Sequence, residues 1–235
     1  MDIRNIIEEV QAIKVYPHMM FNASKLKILS DYVDIAFVNN EYFDNEVMLT
    51  LLRLFCLYPH CFDKMVIKKM LVCVLYNINE IDMNIYLSLI NPNLYDENIK
   101  NIVYLHDLIK ECQFIKLWNC INNNKGINDD NYDFSFLKNY NTFIYNIRKY
   151  ILNCITLSFE TISLKNMENY LNVENISELE TFLNENNWTI KKIMHKDQEV
   201  QVCYNGNIDI IQQKKTINTY FNEDNISSYI NKLNH

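Results

Sequence analysis

Only two of the 235 residues are glycine, Gly126 and Gly206, and only three are proline, Pro17, Pro59 and Pro92. Tight hairpins use glycine where φ must be positive, and Walker-type or dinucleotide loops need several glycines at fixed spacing, because only backbone without a Cβ approaches a pyrophosphate closely. Two isolated glycines exclude both kinds of nucleotide loop, and helices joined by polar loops become the expected solution. Positive charge is also short. Lys and Arg number 22 against 29 Asp and Glu, leaving a formal charge of -7, so the chain as a whole lacks the field that draws a protein to phosphate backbones or anionic membranes. Apolar runs such as Met70 to Tyr76 are too short to span a bilayer. The opening MDIRNIIEEVQAI carries Asp2, Glu8 and Glu9 and is expected to be neither a signal nor a transit peptide.

Paired metal ligands and oriented dyads are missing as well. The seven cysteines, Cys56, Cys61, Cys73, Cys112, Cys120, Cys154 and Cys203, are scattered and odd in number, unlike a secreted disulfide framework, and a reducing compartment is expected. Cys56, His60 and Cys61 form the nearest grouping of zinc-ligand types, with nothing downstream to complete a tetrahedron. His60 beside Cys61 lacks an orienting third group, and His106-Asp107 reads as a surface or cap-like pair. No metal, cofactor, small-molecule substrate or catalytic residue is therefore expected.

What the chain does have is apolar material: 49% of residues are hydrophobic and 13% aromatic, enough for one large or two small cores. Asparagine is abundant, including Asn122, Asn123 and Asn124, and reads as a filler of loops and solvent-facing positions. Helical spacing is clear in Val47, Leu51, Leu54, Phe55; in Val66, Met70, Cys73, Val74; and in Ile102, Leu105, Leu108, Ile109, Cys112, Ile115. These predict three consecutive helices broken at Tyr58-Pro59-His60 and Asn91-Pro92-Asn93. With an earlier helix near Ser24 to Phe37, they would stack as a short solenoid.

Residues 123–133, rich in Asn and Asp, read as a junction between a helical unit at 1–122 and a second unit at 134–221. The second unit is expected to hold a helix with Ile144, Ile147, Ile151, Cys154 and Ile155, a short helix with Leu164, Met167 and Leu171, and a third opening at a capping box, Ser177-x-x-Glu180. Alternation of Val200, Val202 and Tyr204, paired with Thr189 to His195, predicts a β-hairpin. Three helices and a hairpin are the order of a winged helix. Trp118 and Trp188 close apolar patterns and are expected in the core. The third helix carries Glu178, Glu180 and Glu185 and no base, which opposes the usual reading of DNA by such a helix. Lys191, Lys192 and Lys196 on the hairpin are then the candidate RNA contacts. In the tail, 222–235, Ile226, Tyr229, Ile230 and Leu233 form the stripe of a small amphipathic helix, a candidate partner interface.

Two stretches carry a resemblance. The run E-x-x-L-T-L-L-R-L-F-C-L-Y-P-H-C-F ending at Phe62 and the run I-V-Y-L-H-D-L-I-K-E-C-Q-F-I-K-L-W over Ile102 to Trp118 resemble the subunit K family of eukaryotic translation initiation factor 3. Similarity continues through Ile147-Arg148-Lys149-Tyr150-Ile151, through Asn187-Trp188, where that family has Gly-Trp, and to Asn225 to Ile230. The resemblance implies a mainly α chain, with a HEAT-like helical repeat domain followed by a PCI-like winged-helix domain bearing a small hairpin. It also implies a non-catalytic scaffold in the cytoplasm, with the factor's other subunits as partners, subunit L first, and the small ribosomal subunit reached through the complex. The alternatives are a winged-helix nucleic-acid binder and a scaffold of a proteasome-lid or signalosome-like complex.

Overall fold

The computed structural model describes residues 3–127, 132–134, 137, 142–195 and 198–207. The first seven helices are α1 (Ile3–Val15), α2 (Leu26–Val38), α3 (Asn45–Leu57), α4 (Lys64–Tyr76), α5 (Met83–Leu87), α6 (Glu97–Lys110) and α7 (Phe114–Asn123). Aspartates start four of them. Asp44 accepts from the amides of Glu46 and Val47, Asp63 from Met65 and Val66, Asp82 from Asn84, and Asp96 from Ile99. Each satisfies amides that the helix leaves free and sets negative charge at its positive end. Successive helices pack in order, α1 on α2, α2 on α3 and α4, α4 on α6, and α6 on α7.

The second part runs α8 (Phe143–Ser158), β1 (Thr161–Ser163), α9 (Leu164–Leu171), α10 (Ile176–Glu185), β2 (Trp188–His195) and β3 (Gln198–Asn205). The sheet is antiparallel with spatial order β1-β3-β2. In the register Ile162 and Ile190 both pair with Cys203, so one fully buried thiol sits between two isoleucines at the sheet's centre. This is the expected winged-helix order with a third strand, β1, that the sequence reading passed over. The mainly α fold with a small terminal sheet stands as expected.

Three boundaries differ from the expectations. The period from Ile102 to Ile115 is two helices, because the chain turns at Cys112, whose φ is 57°, while the Gln113 amide donates to the Leu108 carbonyl at 2.9 Å. Cys112 and Ile115 are exposed as a result, and the new helix buries Phe114, Leu117, Trp118 and Ile121 instead. The cap of α10 is Asn175, which accepts from the Ser177 amide; Ser177 already lies inside the helix. Helices α1 and α5 were not anticipated, although Ile6, Val10 and Ile13 form a buried stripe at regular spacing.

The positive-φ positions among the described residues are not glycines. Neither glycine has positive φ, whereas Cys112, Asn124, Asn172 and Asn187 all do. Both glycines mark close approaches. A Cβ on Gly126 would lie 2.3 Å from Asn101 Oδ1, and one on Gly206 would lie 2.5 Å from the carbonyl oxygen of Asn187. Asparagine supplies the left-handed turns that end α7, α9 and the approach to β2, because its short amide tolerates that region better than other side chains. Asn187, with φ 61°, stands where the resembled family has glycine.

The buried apolar residues form one continuous cluster from Ile6 in α1 to Cys203 in β3. Contact of α4 with α8 and of α7 with α9 carries it across the segment between the two halves.

Candidate interaction surface

Arg148 of α8 ties the three helices of the winged helix to one another. Its Nε donates to the Leu171 carbonyl at 3.0 Å, Nη2 to the Asn172 carbonyl at 2.8 Å, and Nη1 to Glu178 Oε1 at 2.8 Å. The first two are carbonyls that the end of α9 leaves without helical partners, and a guanidinium reaches all three acceptors from one rigid fork. Trp118 Nε1 of α7 donates to the Tyr170 carbonyl at 2.8 Å, Trp188 Nε1 to Thr156 Oγ1 at 3.0 Å, and the buried Asn205 side chain to the Thr156 and Phe159 carbonyls. Both tryptophans are core residues, as expected. The outcome is a platform in which side chains of α7, α8 and β3 are anchored on backbone carbonyls.

Two concave regions flank this platform. Between α8 and α10 lies a groove of about 310 Å³ with Tyr145, Val173 and Phe182 on its floor and Glu178 and Glu185 on its rim. Between α7 and α9 lies a wider one of about 500 Å³, lined by Trp118, Glu168 and the half-exposed Ile115 and Ile176. It shares Glu168 and Ile176 with a third concavity against the sheet, where Lys192 and Val200 line the far side. Helix α10 buries Leu179, Phe182 and Leu183 and turns Glu178, Glu180 and Glu185 outward, so the face that a DNA-reading winged helix would make basic is acidic here.

The hairpin lysines do not form one patch. Lys191 and Lys192 are consecutive in β2, so they point to opposite faces of the sheet. Lys191 Nζ sits 5.0 Å from the Tyr204 ring centroid, while Lys192 lies on the face of Ile190 and Cys203. Lys196 lies outside the described residues, as do Ile226, Tyr229, Ile230 and Leu233. His106 is not at the surface as expected but buried, with Nδ1 3.3 Å from Asp107 Oδ1 and Nε2 without a hydrogen bond. Burial pushes its pKa below the usual range, and the neighbouring carboxylate opposes that only in part. His60 and Cys61 are exposed, with the imidazole edge-on to Tyr58. Among the described residues no group of three or more His, Cys, Asp or Glu is placed to hold a metal ion, and no helix is long and apolar enough to cross a membrane.

Sequence reasoning missed Arg148 as a fastener and the α8–α10 groove. Arg148 stands beside Lys149 in an apolar run, and the carbonyls it binds belong to turns that no period announces.

Comparison with known proteins adds to this geometry. The sequence profile of the CSN8/PSMD8/EIF3K family matches residues 62–214. Eukaryotic translation initiation factor 3 subunit K of Aedes aegypti is 25% identical over 169 residues, 72% of each chain. The protein of the same name from Drosophila mojavensis is 26% identical over 183 residues, 77% of this chain and 76% of that one. That from Drosophila virilis is 27% identical over 169 residues, again 72% of each.

Proposed function

Because the chain belongs to the CSN8/PSMD8/EIF3K family, we propose that it is a non-catalytic scaffold subunit of translation initiation factor 3. The observation that carries this reading is collinear similarity to proteins named subunit K over about three quarters of the chain. In this reading the factor's other subunits are its partners, subunit L first, it acts in the cytoplasm, and it meets the small ribosomal subunit through the complex. Residues 1–122 serve as the helical unit and 134–221 as the winged-helix unit, joined at 123–133. The surface supports a role in assembly: half-exposed Ile115 and Ile176 line a broad concavity, and apolar side chains at a rim favour burial by another chain. The tail stripe Ile226, Tyr229, Ile230 and Leu233 is a second proposed contact.

Affinity purification of the full chain from its native cells, with identification of the co-eluting chains, tests this reading. Subunits of initiation factor 3, with L among the most abundant, are the expected result. Recovery of proteasome-lid or signalosome subunits in their place overturns it. A chain lacking Asn225 to His235 is expected to recover less of the partners; undiminished recovery removes the tail from the interface.

A further inference from the structure

We propose that the groove between α8 and α10 receives a basic segment of a partner chain, which sets an aliphatic side chain on Tyr145 and Phe182 and lysine or arginine against the glutamates of α10. The proposal rests on the scaffold reading and names what one of its surfaces takes.

The floor of the groove is apolar and already shaped. Tyr145 is 44% exposed, and its ring meets that of Phe182 nearly perpendicularly at 5.6 Å between centroids. At about 310 Å³ the groove is at the lower end of ligand pockets, roughly 300 to 1,000 Å³, and suits anchoring side chains of a peptide. Exposed aromatic surface of this kind is a common anchor for a partner.

The rim fixes the charge of the occupant. Glu178 and Glu185 are seven positions apart and so lie on one face of α10, both at the groove. Glu178 is engaged by Arg148, which itself lines the groove, so the free carboxylate at the rim is that of Glu185, which makes no ion pair with another described residue. Helix α10 has no base in its last turn, and Glu185 there opposes the negative end of the helix dipole. A cation bound at that end relieves both the carboxylate and the terminal carbonyls. An acidic or neutral peptide would leave them uncompensated, and a nucleic-acid backbone would be repelled.

The test uses the full chain and a fluorescently labelled 12-residue peptide with the repeat Leu-Lys-Lys-Leu, its glutamate counterpart, and a 12-nucleotide single-stranded RNA, followed by fluorescence anisotropy. The lysine peptide is expected to bind saturably and at least tenfold more weakly at 300 mM than at 50 mM salt. Glu185→Lys is expected to weaken it tenfold or more, and Tyr145→Ala severalfold. Glu80→Lys, the same charge change at a distant exposed position, is expected to leave it within twofold. Equal loss in the two glutamate variants, absence of binding, or preference for the glutamate peptide or the RNA overturns the groove assignment. So does a self-association of the chain that the Glu185 change abolishes, since the groove would then hold a second copy. If peptide binding fails while the factor's subunits still co-purify, the groove assignment alone falls.

Discussion

Asn124, Asn172 and Asn187 do the work that most chains give to glycine, ending helices in left-handed backbone. An L residue other than asparagine pays about 1 to 2 kcal/mol there. Asn172→Ala is therefore expected to lower stability by about 1 kcal/mol in urea unfolding, and Asn172→Gly to match or exceed the parent, because Arg148 binds only the backbone carbonyl at that position. The abundance of asparagine was plain in the sequence, but its three turn positions were not, since composition does not distinguish a loop filler from a backbone device. His106 makes a second residue-scale prediction. With the folded pKa held below the unfolded one, the unfolded imidazole takes up a proton first as pH falls, so stability is lost on acidification below the usual 6.5 and is unaffected above it. His106→Gln is expected to flatten that acid limb in melting temperature measured between pH 5 and 7.

At the level of elements, the joints between helices are less legible than the helices. Apolar spacing announced α3, α4, α8, α9 and α10, and the two proline sites correctly forbade helix across them. The turn at Cys112 went unseen because the spacing of apolar residues continues through it and no glycine marks it. Strand β1 is three residues long, shorter than any alternation can reveal. Arg148 illustrates the same limit, since its acceptors are carbonyls contributed by the end of another helix. Arg148→Ala is expected to cost about 2 to 3 kcal/mol, because charged hydrogen bonds are lost and the carbonyls left part-buried. Arg148→Lys should recover less than half of that in chemical denaturation, since an ammonium cannot reach three separated acceptors from one plane. Full recovery by lysine would mean that charge alone, and not the fork, joins these helices. Of the candidate surface, the acidic outer face of α10 was legible in Glu178, Glu180 and Glu185. The groove beside it was not, because it needs Tyr145 from a helix some thirty residues earlier.

For the whole molecule, the uninterrupted cluster of buried side chains predicts one unfolding transition. Far-ultraviolet circular dichroism and tryptophan fluorescence are expected to give coincident urea curves, and so is fluorescence from single-tryptophan variants keeping Trp118 of α7 or Trp188 of β2. Two separated midpoints would show that the halves fold independently. With a single transition, the chain would be present in a cell as two species only, whole or unravelled. Half-formed copies do not accumulate, so the amount available to a complex follows from a single equilibrium, and degradation of unassembled copies draws on the same pool. A weak substitution in α1 would then deplete the winged helix at the far end of the chain as surely as one inside it, and its effect would first be seen as abundance.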